Sequence, residues 1–238
     1  MYIVGIVSHK GKRSSFMRTL YHHWLIPECR KIRIILAEKK LEFKLVLENT
    51  WSQRDAFLAL NPAGQVPVLE DVGLNVLADS NAISEYLEEA YPEHSLIKGD
   101  LLQRAEIRRL NGWFDHKFNQ EVTECIVFEK IFKRFHGKAH PDTQIIRLGL
   151  QNLNNHLSYI NWLVERRHWL AGDEFSLADI TAASHLSAVD YLGHVSWDKH
   201  IEAKEWYARV KSRPSFRGIL NDTIPGIICS AHYRDLDF

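Results

Sequence analysis

Asn61-Pro-Ala-Gly-Gln-Val-Pro-Val-Leu-Glu70, followed after a turn by Ala78-Asp79-Ser80, decides how the chain folds. A loop ends at a proline, a short apolar strand begins, and a helix then opens with an acid and a hydroxyl. Pro67 follows Val66 at a strand start, where its missing N–H costs no ladder bond. A cis Val66–Pro67 bond would turn the Val66 backbone N–H and C=O outward, toward a ligand. Asp79 and Ser80 stand at a helix start, where free N–H groups and the helix dipole favour a carboxylate. From these residues alone two readings stay open. One is a ligand-holding pair; the other is an ordinary N-cap beside a strand-starting proline.

The flanking sequence extends the pattern. Arg18–His22 reads as a strand and Pro27–Lys40 as a helix, with Pro27 in its first turn and Ile32, Ile35 and Leu36 on one face. Glu42–Leu47 returns to strand, and 53–60 is a short helix. Val66–Glu70 and Leu74–Leu77 make a hairpin around Asp71-Val72-Gly73, and Asp79–Tyr91 is the next helix. The order βαβαββα predicts an α/β, thioredoxin-like domain. A polar linker, 92–100, separates it from an all-α second domain, 101–220.

In that second domain Leu101–Phe135 is one long helical pattern. Leu110, Trp113, Phe114, Phe118, Val122 and Cys125 fall on its inward face. Its later stretch, Ile126–Phe135, is apolar around much of its circumference, so it is either buried or met by a partner. Helices follow at Pro141–His168, Ser176–Leu192 and Ile201–Ser212, with a short last one from Pro214. Ser176-Leu-Ala-Asp179 is a capping box, flanked by Phe175 and Ile180 as a staple.

Composition excludes several classes. The 238 residues hold 45% apolar and 25% charged side chains, with 30 basic against 30 acidic. No net field attracts nucleic acid or an anionic membrane. No apolar run reaches spanning length, so no membrane insertion is expected. Three cysteines without a CxxC, Cys29, Cys125 and Cys229, suggest a reducing compartment and no disulfide framework. Thirteen histidines form no HExxH or Cys/His spacing, so no metal site is expected. Gly11-Lys12 lacks the earlier glycine and the following hydroxyl of a phosphate loop. Met1–Phe16 reads as an extension outside the fold, and 221–238 as a C-terminal tail.

The motifs at 61–70 and 78–80 resemble the glutathione S-transferase superfamily. Its pattern Asn-Pro-x-Gly-x-Val-Pro-x-Leu, then (Glu/Asp)-Ser, stands here almost unchanged. The Ser176–Asp179 box is also the family's. The resemblance covers roughly Met17 to Leu220 and implies a homodimer with a glutathione-type cleft at Gln65, Val66, Pro67, Asp79 and Ser80. Val66 would pair with the cysteinyl backbone, and Asp79 and Ser80 would take the γ-glutamyl end.

Relatives activate the bound thiol with a hydroxyl or thiol near the first helix. Aligning Pro27 and Arg30-Lys31-Ile32-Arg33 with their pattern puts Ile26 in that place, and isoleucine offers no donor. No catalytic residue is therefore assigned; Tyr21, His22, His23 and Cys29 are the nearby alternatives. A residual affinity for glutathione is the only cofactor expectation.

The tail narrows the resemblance. Ser212-Arg-Pro-Ser-Phe-Arg217, Ile224-Pro-Gly226 and Ala231-His-Tyr-x-Asp-Leu-Asp-Phe238 resemble an alphaproteobacterial division branch of the family. So do Trp51-x-x-Arg-Asp-Ala-Phe57 and Trp113-Phe114-Asp115-x-Lys117-Phe118. That branch binds the tubulin-like GTPase FtsZ. The resemblance implies an FtsZ polymer as partner and a cytoplasmic protein recruited to the division site. Apolar residues in a terminus need a surface, their own fold's or a partner's. Trp51, Ile224, Tyr233, Leu236 and Phe238 are the expected partner-binding residues.

Overall fold

The structure is a computed structural model that describes residues 17–73, 75–133, 137 and 140–236. The expected extension Met1–Phe16 and the partner residue Phe238 lie outside these.

Four strands form one mixed sheet in the order β2-β1-β3-β4. They are β1 Arg18–His22, β2 Phe43–Leu47, β3 Val68–Asp71 and β4 Asn75–Ala78. β1 runs parallel to β2, with Leu20 opposite Leu45, and antiparallel to β3, with Leu20 opposite Leu69. α1 (Pro27–Glu38) makes the crossover that the parallel pair requires, and the short α2 (Asp55–Leu58) lies between β2 and β3. The β3–β4 hairpin turns at Gly73, whose φ of 92° favours glycine. Asp71 ties the hairpin to the helix after it. It accepts hydrogen bonds from the Tyr86 and Tyr91 hydroxyls at 2.7 and 2.6 Å.

α1 is more deeply buried than its apolar periodicity foretells. Pro27 and Cys29 to Leu36 are all buried, Arg30, Lys31 and Arg33 among them. Cys29 packs with Val68 of the sheet while the helix also meets the helical part of the chain, so both faces are covered. Each cation finds oxygen there. Lys31 Nζ lies 2.6 Å from Asp115 Oδ2, and Arg33 grips Asp222 with two bonds of 2.7 and 2.8 Å. Arg30 donates to Ser187 Oγ at 2.7 Å and to the Tyr233 hydroxyl at 3.0 Å. A buried charge is tolerable only when it is paired or hydrogen-bonded in this way.

The second part is helical: α4 Leu101–Gly112, α5 Trp113–Phe132, α6 Thr143–Val164, α7 Leu177–Tyr191, α8 Ile201–Lys211 and the short α9 Arg217–Leu220. α4 opens with a capping box, Asp100 with Gln103. α5 prolongs the same rod with the wider π winding. Its buried residues Phe114, Phe118, Val122, Val127 and Ile131 therefore recur every four or five positions. Trp113 and Cys125, expected inward from an α period, are only half-buried because the wider turn rotates them off the seam.

α7 is the central helix, with every residue buried. The capping box at its start is formed as expected: the Ser176 N–H donates to Asp179 Oδ2 at 3.0 Å. Asp179 also accepts from the Leu170 N–H and from Trp206 Nε1, both at 2.9 Å. One carboxylate thus ties the start of α7 to the preceding loop and to α8.

The tail folds back onto the molecule. Ile224 and Tyr233, expected to face a partner, are buried in the chain's own core, and this corrects the expectation. The Tyr233 ring packs edge-on against Tyr191 with centroids 5.0 Å apart. The Ser230 N–H and hydroxyl donate to the carbonyls of Tyr191 and Asp190. An apolar terminus needs a covered surface, and here the C-terminal end of α7 offers one. Leu236 stays on the surface, as does Ile228, which is 94% exposed.

Candidate functional site

A cleft of about 520 Å³ runs between the sheet domain and α5. Its sheet-domain side is built by three local structures. The loop before α1 brings Leu25 and Ile26. The segment into β3 brings Asn61, Gln65, Val66 and Pro67, and the start of α3 (Ser80–Ala90) brings Asp79 and Ser80. All five residues expected to form the cleft therefore meet there. The Val66–Pro67 bond is cis. Asn61 holds the loop shape by donating from Nδ2 to the Gln65 carbonyl at 2.8 Å.

Asp79 is both cap and lining residue. Its Oδ1 accepts from the Asn81 and Ala82 N–H groups at 2.8 and 3.0 Å. Its φ of 77° is unusual for a residue other than glycine. Such a backbone persists where its surroundings over-determine it, often at ligand sites. Ser80 beside it is 5% exposed, and its hydroxyl has no hydrogen-bond partner among the described residues.

At the position expected for a thiol-activating hydroxyl, Ile26 caps α1 without any side-chain hydrogen bond. The nearby alternatives do not replace it. Cys29 is fully buried, and burial pushes its thiol well above the ordinary range. A thiolate, which nucleophilic chemistry requires, is thus strongly disfavoured there. Burial lowers both His22 and His23 to about 4, with Arg33 adding to the effect at His22. The Tyr21 hydroxyl is raised by burial and by Glu70, to which it donates at 3.1 Å.

The opposite wall comes from α5: Asn119, Thr123, Glu124, Val127, Phe128 and Phe132. None of these was singled out as a site residue from the sequence. The signal was the apolar stretch that begins at Ile126, whose Val127, Phe128 and Phe132 line the cleft. Thr123 also bonds His185 Nδ1 at 3.0 Å, and His185 lies 3.5 Å from Asp115. A buried polar chain therefore runs from this wall to Lys31 of α1. Trp51 is half-buried outside the lining, its ring edge-on to His23 at 5.5 Å.

Among the described residues no helix is long and apolar enough to cross a membrane. No cluster of three metal-ligating side chains occurs among them either.

Comparison with known proteins places this architecture. Family models described as the N-terminal and C-terminal domains of glutathione S-transferase match residues 27–90 and 128–214. "FtsZ-localized protein A" of Caulobacter vibrioides is 44% identical over 227 residues, which is 94% of this chain and 100% of that protein. A solved structure of a glutathione S-transferase from Rhodospirillum rubrum F11 is 55% identical. It superposes with a TM-score of 0.91, over 93% of this chain and 100% of its own. The structure of FzlA from C. crescentus is 44% identical with a TM-score of 0.90, over 94% and 100%.

Proposed function

Because the chain belongs to the glutathione S-transferase family, we propose that it serves as a non-catalytic member of it. In this reading it is a cytoplasmic division adaptor, recruited to the division site, that binds FtsZ filaments and supports constriction. The observation that carries the reading is its likeness, over the whole length of that relative, to FtsZ-localized protein A.

The chemistry of the cleft agrees with this reading. A free thiol is mostly protonated at neutral pH, and each unit by which its pKa is lowered needs about 1.4 kcal/mol of preferential thiolate stabilisation. Ile26 supplies no hydrogen bond toward that end, and the start of α1 alone offers only a weak dipole. A homodimer belongs to the proposal. Leu101 and Leu102, more than four-fifths exposed at the start of α4, suit a covered surface.

Co-sedimentation with GTP-assembled FtsZ tests the reading. The full chain is expected in the pellet with polymer and in the supernatant without GTP. A chain that stays in the supernatant in both cases refutes it.

A second reading, a transferase or peroxidase acting on a small electrophile, draws support from the preserved Asp79 and Ser80 and from the name of the 55%-identical structure. It requires retention on immobilised glutathione and measurable turnover. Asp79→Ala separates the two, since it abolishes turnover under the second reading and spares filament binding under the first.

A further inference from the structure

α7 ends in a Schellman turn. The Gly193 N–H donates to the Asp190 carbonyl at 2.9 Å and the His194 N–H to the Val189 carbonyl at 3.3 Å. Gly193 takes a φ of 73°, which the turn requires and glycine supplies. The turn fixes His194, half-buried, just beyond the end of α7, and α7 packs against α5.

There His194 Nε2 is in hydrogen-bond contact with Nζ of Lys130, a half-buried residue of α5. Other lysines are neutralised differently. Lys31, Lys39, Lys98, Lys117 and Lys133 each meet a carboxylate. Lys130 has no carboxylate within ion-pair distance among the described residues. Its neighbour Glu129 is taken by Lys133 at 2.7 Å and by the Asp142 N–H at 2.8 Å. An amine and an imidazole in contact cannot both carry a proton's charge without cost, since each disfavours the charged form of the other. Burial acts in the same direction. It lowers the Lys130 amine and the His194 ring from their ordinary ranges, and the charge of Lys130 lowers His194 further. A lysine desolvated beside a second cationic group is a known route to a nucleophilic amine.

We propose that Lys130 is a site of acylation by small acyl thioesters, with His194 as the base. The Nζ lone pair attacks the thioester carbonyl carbon; the C–N bond forms and the C–S bond breaks. The amine proton passes to His194 Nε2 and from there to the departing thiolate. The products are an amide and a thiol, with no change of oxidation state. A thioester suits the pair better than an aldehyde does. A thiolate leaves without prior protonation, whereas imine formation expels water and needs an acid as well as a base. The product also suits the site. The amide N–H still donates to Nε2, and the like-charge conflict is gone because acylation removes the lysine charge. Neither group lines the cleft, and acylation here does not depend on filament binding, so its absence and the failure of the adaptor reading are separate results.

The test uses the full chain, S-acetyl-N-acetylcysteamine as the thioester, and peptide mass spectrometry to follow acetylation at each lysine. At neutral pH Lys130 is expected to react about tenfold faster than the exposed Lys40 and Lys44 of the same molecule. Unfolding the chain in urea should abolish that advantage, because the pair no longer exists. His194→Gln keeps an acceptor for the amine and removes the base. It should bring Lys130 down to the rate of Lys44 and leave Lys44 unchanged, with the circular dichroism spectrum of the parent chain. The proposal is overturned if native Lys130 reacts no faster than Lys44, if its advantage survives in urea, or if His194→Gln leaves its rate unchanged.

Discussion

Removing the tail is the natural test for a partner-binding terminus, and here it should unfold the protein before it informs on any partner. The perturbation to make first is Tyr233→Phe. The hydroxyl accepts from Arg30 at 3.0 Å and faces the Ile219 carbonyl at 3.4 Å, all of it buried. Losing it leaves the Arg30 guanidinium with Ser187 and the Trp24 carbonyl as acceptors. Hydrogen bonds to charged groups contribute about 1.5–3 kcal/mol, so the single hydroxyl is expected to cost that much. Tyr233→Ala also removes a fully buried ring that packs on Tyr191, for about 3–5 kcal/mol. Truncation after Asn221 further strips Arg33 of Asp222, and breaking a buried pair of this kind costs about 3–5 kcal/mol by itself. Against a typical total of about 5–15 kcal/mol, the truncated chain retains little stability. Urea unfolding followed by tryptophan fluorescence is the assay. With a slope of about 2–3 kcal/mol/M, Tyr233→Phe should lower the midpoint by roughly 0.5–1.5 M. A truncated chain with the full-length midpoint would refute the reasoning and return Tyr233 to the surface. Ile228→Ala is the matching control for partner binding. That side chain is 94% exposed, so its loss should leave stability within about 0.5 kcal/mol.

Other expectations concern the interior. His22 and His23 are buried neutral, with folded-state values near 4 against 6.5 for the unfolded chain. The unfolded chain therefore takes up protons first as pH falls, and stability is lost between about pH 6.5 and 4. By pH 5 the loss is about 2 kcal/mol for each ring. A urea midpoint that does not move between pH 7 and 5 contradicts this. Lys31→Ala leaves the Asp115 carboxylate buried with only His185 and should cost about 3–5 kcal/mol in the same assay. Thiol labelling of the native protein should modify the half-exposed Cys125 and Cys229 and spare Cys29 until the chain is unfolded. Rapid labelling of Cys29 would mean that the loop before α1 opens readily.

What the sequence revealed follows the range of each signal. The strand, turn and helix start around Pro67 and Asp79 are local events, decided by neighbours a few positions apart, and all five cleft residues were legible there. The Ser176–Asp179 capping box was legible for the same reason, whereas the equally local Asp100–Gln103 box was not singled out. The burial of α1 was not. Its Ile32, Ile35 and Leu36 announce one apolar face, whereas Arg30, Lys31 and Arg33 look like a solvated one. Their partners Tyr233, Asp115 and Asp222 stand 203, 84 and 189 residues away, and no periodicity reports on such pairs. The tail was half legible. Its apolar content required a cover, but two covers satisfy that requirement equally, and only folding selected the chain's own helices for Ile224 and Tyr233.

The cleft divides along the same line, and the division bears on function. The motif around Pro67 and Asp79 builds a cradle of backbone groups and one helix start, whose free N–H groups suit a carboxylate. Selection among ligands depends on what stands opposite. Glu124, Val127 and Phe128 come from α5, more than forty residues beyond the motif, and nothing in the motif constrains their charge. A family signature can therefore persist intact while Ile26 and the α5 wall, which lie outside it, differ. The motif is then evidence for the fold, and activity has to be argued from the residues that stand around it.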